Sequence, residues 1–132
     1  MNTKIISYND PDFDSKLISA AEVIKNGGLV VFPTETVYGL GADGTSAEAA
    51  RKIYAAKGRP SDNPLIIHIA KPEDAEKYCV TCEAYYKIAD AFMPSPITVV
   101  LPKNANIPMS VTGGLDTVAV RCPAHPVARA LI

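Results

Sequence analysis

Apolar and polar positions alternate along the chain at two periods, and the switches between them outline a succession of helices and strands. Phe13, Leu17, Ile18, Ala20, Ala21 and Ile24 recur at helical spacing and predict one apolar stripe on a helix of about three turns. Asp12 or Asp14 can cap its start, and Asn26-Gly27-Gly28 supplies a left-handed stop. Leu29-Val30-Val31-Phe32 follows at once, an unbroken apolar run expected of a strand covered on both faces. Pro33 to Gly44 is rich in Thr and Gly, lacks periodicity and reads as a structured loop.

Thr45 with Glu48 has capping-box spacing and opens a second helix, striped by Ala47, Ala50, Ile53 and Tyr54 and stopped at Lys57-Gly58-Arg59-Pro60. Asp62-Asn63-Pro64 turns the chain into a strand, Leu65 to Ile69. A short helix from Pro72 to Tyr78 and a longer one around Ala84, Ile88, Ala91 and Phe92 come next. Pro94-Ser95-Pro96 breaks that helix before the strand Ile97–Leu101. Pro102 to Gly114 is a loop, Thr117 to Arg121 a strand, and Pro126 suits the first turn of a last helix. Strands alternating with helices predict an α/β fold, a sheet with helices packed on it. The apolar pair Leu131-Ile132 ends the chain in mid-helix, which predicts that the sequence continues beyond it.

Composition narrows the class without identifying a chemistry. At 132 residues the chain suits one domain, residues 1–132, large enough to bury a core without staples. With 48% hydrophobic and 20% charged residues, disordered and fibrous classes are excluded. A net charge of -1 argues against a general polyanion binder, although a local cationic cluster could still hold phosphate. No apolar run approaches the ~18 residues of a span, and the start lacks a signal-peptide core. Three cysteines point to a reducing, cytoplasmic setting.

Candidate chemistry gathers at strand ends, where open α/β sheets bind ligands. Thr34, Glu35, Thr36 and Tyr38 follow the first strand, His68 lies near the end of the second, and Arg121 closes the last. If these strands share a sheet, hydroxyls, an imidazole and a guanidinium form a pocket suited to a small zwitterion. Each residue also has a bland reading as a strand-end or turn cap. Lys57 and Arg59, two cations flanking a glycine at a helix end, can turn toward one polyanion or simply complement the helix dipole. Cys79 and Cys82 form a CxxC whose setting suits two half-buried structural cysteines better than zinc or redox chemistry. No metal ligand set and no protein nucleophile can be picked out from spacing.

Taken together, the segments resemble one family. Phe32-Pro33-Thr34-Glu35-Thr36-Val37-Tyr38-Gly39-Leu40-Gly41 is similar to the signature loop of the YrdC-like proteins, the threonylcarbamoyl-AMP synthases. The match continues through Lys57-Gly58-Arg59-Pro60 and Asp62 to His68, resumes at Pro96 to Leu101, and runs from Thr112 to Ile132. The resemblance implies a YrdC-like twisted, mixed β-sheet with helices packed on it. It also implies an enzyme that condenses L-threonine, bicarbonate or CO2, and ATP into threonylcarbamoyl-AMP and pyrophosphate. By motif, Thr36, His68 and Arg121 would hold L-threonine, and Lys57, Arg59, Asn63 and Thr117 would hold ATP, with Mg2+ accompanying the nucleotide. No catalytic nucleophile and no protein metal site are implied. The product would pass to a tRNA threonylcarbamoyl-transferase complex for modification of adenosine 37, with a contact to tRNA and none to a membrane.

Two features depart from the family pattern. Met93-Pro94-Ser95-Pro96 stands where a Trp-Pro-Gly-Pro-like segment is common, and the S-x-N element that completes the nucleotide site, with the final strands, falls beyond Ile132. Alternative readings are a non-enzymatic RNA-binding module and a carbamoyl-AMP-forming relative.

Overall fold

The computed structural model describes residues 2–132. Four α-helices are seen: α1 (Phe13–Lys25), α2 (Ala47–Lys57), α3 (Glu83–Phe92) and α4 (Pro126–Leu131). The strands are β1 (Val30–Pro33), β2 (Tyr38–Gly41), β3 (Ile66–His68), β4 (Thr98–Pro102) and β5 (Thr117–Arg121), with a 3-10 turn over Pro72–Lys77. The α/β class and the element order match expectation.

The strands do not form one sheet. β1 and β2 make an antiparallel ribbon, whereas β3, β5 and β4 form a separate sheet in that order, parallel on one side of β5 and antiparallel on the other. The sheet is therefore mixed. The stretch read as a loop before Gly44 contains β2, and the whole is a hairpin with Pro33 opposite Tyr38. Two glycines hide β2 from a propensity reading. They are needed because the Phe32 ring lies across the ribbon: a Cβ at Gly41 would come within 2.6 Å of it. β1 is not covered on both faces either, since Val31 is exposed while Phe32 is buried.

Two helix details differ from the sequence reading. Ser46, not Thr45, caps α2: its Oγ accepts from Ala49 N at 3.2 Å, while Thr45 bonds to Asp43. α3 buries Tyr85 and Ala89, leaving Ala84, Ala91 and Phe92 exposed, because the helix starts at Glu83 and its inward stripe is shifted by one residue. Gly58 stops α2 in the left-handed conformation at φ 58°. Ser95 needs no glycine geometry, as no non-glycine among the described residues has positive φ.

The core has two centres. Ile67, Ile69, Leu101, Val118, Val120 and Cys122 pack with Tyr85 and Ala89 of α3 beneath the three-stranded sheet. Ala20, Phe32, Ala128 and Leu131 join α1, the ribbon and α4. Because side chains alternate along a strand, burying Ile67, Val118 and Val120 turns Ile66, His68, Thr117 and Arg121 to the opposite, open face of the sheet.

Candidate functional site

The hairpin tip is built by Thr34. Its Oγ1 donates to the Val37 carbonyl at 2.6 Å and accepts from the Val37 N–H at 3.2 Å, closing the turn without a glycine. This projects Glu35 and Thr36 toward the end of β5. There the Arg121 Nη2 donates to Glu35 Oε1 and lies 3.3 Å from Thr36 Oγ1. The Thr36 hydroxyl also lies 3.1 Å from that of Thr34.

His68 stands opposite Arg121 in the parallel β3–β5 register, so the two side chains share a face. The ring meets Phe32 edge-on, with centroids 5.9 Å apart at 83°, and its Nδ1 lies 3.3 Å from the Ile66 carbonyl. The glycines opposite Phe32 thus indirectly seat this histidine. Burial lowers the His68 pKa and outweighs the opposing bond to the Ile66 carbonyl, while the charges of Arg121 and Glu35 add smaller effects, downward and upward respectively. The imidazole is neutral near pH 7.

Glu35 is under opposite influences. Burial favours its protonated form, but Arg121 and backbone N–H groups including that of Ala124 outweigh it and hold the carboxyl at about 2. It is permanently ionised at physiological pH.

Lys57 and Arg59 line a cavity of about 570 Å³ together with His68, Phe32, Gly39 to Thr45, Leu65 and Ile66, whereas Thr36 and Arg121 do not line it. Lys57 is exposed at the end of α2. Arg59 donates to the Pro64 carbonyl at 3.3 Å, and its buried Nε has no partner among the described residues. The loop that follows Arg59 is pinned by Tyr54, whose Oη lies 3.1 Å from the carbonyls of both Asn63 and Ser110. At Gly113, φ 63°, a Cβ would fall 2.6 Å from the Asp62 carbonyl oxygen, so loop and glycine meet backbone to backbone.

The structure therefore brings Thr36 and Arg121 into contact, sets His68 beside Arg121, and puts Lys57 and Arg59 on one cavity with His68. Asn63 is exposed on the pinned loop and does not line that cavity. Thr117 lies on the Arg121 face but at the opposite end of β5, about 13 Å along the strand at 3.3 Å per residue. Sequence reasoning left Glu35 among the general polar residues; its link to Arg121 joins positions 86 residues apart, and no local spacing signals it. Cys79 and Cys82 are not a half-buried pair: Cys79 is buried with Sγ 3.1 Å from the Ala75 carbonyl, and Cys82 is exposed. Among the described residues no three His, Cys, Asp or Glu side chains converge as a metal site, and no helix is long and apolar enough to cross a membrane.

Known proteins share this arrangement of chain. Residues 22–132 match the Sua5/YciO/YrdC family model, whose description reads "Telomere recombination". The chain is 50% identical over 131 residues to the threonylcarbamoyl-AMP synthase of Pyrococcus abyssi, and 46% identical over 132 residues to that of Bacillus subtilis. These matches cover 98% of this chain but only 38% and 37% of those proteins. The crystal structure of P. abyssi Sua5 complexed with L-threonine matches with a TM-score of 0.94 over 98% of this chain and 38% of that one, at 50% identity.

Proposed function

The chain belongs to the Sua5/YciO/YrdC family, and from that premise we propose that the whole protein is an L-threonylcarbamoyladenylate synthase, with residues 1–132 as the N-terminal part of its YrdC-like domain. In this reading threonine's neutral amine adds to CO2 and releases a proton to solvent, and an oxygen of the resulting carbamate then attacks the α-phosphorus of ATP. The bond from that phosphorus to the bridging oxygen breaks, and pyrophosphate leaves. Substrates carry both nucleophile and leaving group, so the protein's task is alignment and charge neutralisation. Two anionic reactants repel each other as they approach, which is why cations must flank them.

Arg121 takes the threonine carboxylate, with Thr36 and His68 beside it. Lys57 and Arg59 take the phosphates, and Asn63 and Thr117 complete the contacts to ATP. Accompanying Mg2+ would be held by the phosphates and water rather than by a carboxylate cluster. The product goes to a tRNA threonylcarbamoyl-transferase complex in the cytoplasm. The observation that carries the reading is the Thr36–Arg121–His68 group beside a cavity rimmed by two cations, in a chain half identical to a threonylcarbamoyl-AMP synthase. Incubating the full-length protein with ATP, bicarbonate and labelled threonine tests it. Threonine-dependent pyrophosphate and an AMP-linked threonine product are expected, and their absence rejects the reading.

A further inference from the structure

Arg121 does not hold its place by packing alone. Its side chain is 12% exposed and that of Glu35 21%, and the two form an ion pair through Nη2 and Oε1. The second Glu35 oxygen, Oε2, accepts from the backbone N–H groups of Ala124 at 2.7 Å and His125 at 3.2 Å. A single carboxylate therefore ties the hairpin tip to the arginine at the end of β5 and to the turn that opens α4. The Arg121 Nε, meanwhile, is buried without a partner among the described residues. A buried donor left unpaired in a folded protein calls for an acceptor. Both contacts of the guanidinium, to Glu35 and to Thr36, run through Nη2, which leaves its other terminal nitrogen free to take a second anion while the first is kept.

We propose that Glu35 is a positioning residue of the threonine site: its carboxylate fixes the Arg121 guanidinium so that the remaining donors meet the substrate carboxylate, and it does not itself touch the substrate. This rests on the threonine assignment made above. Both carboxylate oxygens are needed, because one serves the arginine and the other the two backbone donors. An amide offers a single acceptor oxygen, so Glu35→Gln must turn an NH2 group toward either Arg121 or the α4 turn. Asp keeps both oxygens but is one methylene too short to span them.

The test measures threonine and ATP binding by calorimetry, and KM and kcat, on the full-length wild type, Glu35→Gln and Glu35→Asp. Glu35→Gln should weaken threonine binding and raise its KM about tenfold, as for loss of a charge-assisted hydrogen bond. ATP affinity and kcat at saturating threonine should stay within about twofold, and Glu35→Asp should fall between. In an Arg121→Lys background Glu35→Gln should add less than about a twofold loss, since its effect runs through the guanidinium. Should Glu35→Gln fail to fold, Glu35→Asp must show the same threonine-only loss. Unchanged threonine affinity, an equal loss for ATP, or full additivity with Arg121→Lys overturns the proposal. A wild type that binds no threonine overturns the threonine assignment, and this proposal with it.

Discussion

The two cationic regions of the open face are built in opposite ways. Arg121 is largely buried, paired with Glu35 and surrounded by short polar contacts that cross from one sheet to the other. Lys57 and Arg59 sit at the rim of a cavity, and among the described residues neither makes an ion pair within 4.0 Å. The first region is cross-linked before any ligand arrives, as suits a small zwitterion whose few contacts must all be in register. The second offers charge with little fixed geometry beyond a pinned loop, which suits a triphosphate that carries its own counterions. Substitutions should therefore separate the regions: loss of the cation at the first should reach folding as well as binding, while loss of a cation at the second should fall mainly on binding.

The largest effect is expected from Arg121→Met. It leaves the Glu35 carboxylate without its cation, the loss of a charge-assisted hydrogen bond that costs about 2 kcal/mol. Threonine binding should fall at least about 100-fold, the midpoint of thermal unfolding should drop, and ATP binding should change least. Calorimetry with each substrate and a thermal melt check this; a loss confined to ATP would reverse the assignment of the two regions. Next comes Gly113→Ala, which forces a side chain into a left-handed position against the Asp62 carbonyl. A destabilisation of about 2 kcal/mol is expected in urea unfolding. Its binding signature should be on ATP, because the displaced loop carries Arg59 rather than the hairpin tip.

The same contrast explains what the sequence disclosed. The residues of β5 and the helices α2 and α4 were legible because local patterns specify them: an alternating strand, a Gly58 stop, and a proline in a first turn. β2 was not, because Gly39 and Gly41 serve the Phe32 ring across the ribbon, a tertiary demand that leaves no apolar signal of its own. Thr36, His68 and Arg121 could be suspected from their places at strand ends, whereas the Glu35–Arg121 pair and its backbone donors belong to distant parts of the chain. The separate ribbon and sheet were equally hidden, since apolar runs show that a strand exists but not which strand it pairs with.

At the cavity rim, Lys57→Ala and Arg59→Ala should each weaken ATP binding about tenfold, the effect of one charge-assisted contact. Threonine affinity should be unchanged. Lys57 is exposed, so its removal should leave the melting temperature in place, while Arg59→Ala loses the bond to the Pro64 carbonyl and should lower it slightly. Titrations with ATP and threonine alongside melts decide the matter. A Lys57→Ala protein as unstable as Arg121→Met would erase the distinction between a built region and an open one.

The smallest effect is a pH dependence assigned to His68. Burial, aided by Arg121, lowers its pKa below the ordinary 6.5, so the folded protein resists a proton that the unfolded chain accepts. Its contribution to stability is therefore complete above pH 6.5 and declines as the pH falls toward the folded-state value. Glu35 is silent in that window: its carboxyl, held at about 2 instead of 4.5, stabilises the fold above 4.5 and loses that contribution only as the pH falls toward 2. Urea unfolding of wild type and His68→Gln from pH 7.5 to 5 should thus show the stability gap between them narrowing below pH 6.5. A gap that stays constant would mean that the imidazole is as easily protonated in the fold as in the unfolded chain. The built corner would then contain one titratable group that its surroundings do not control.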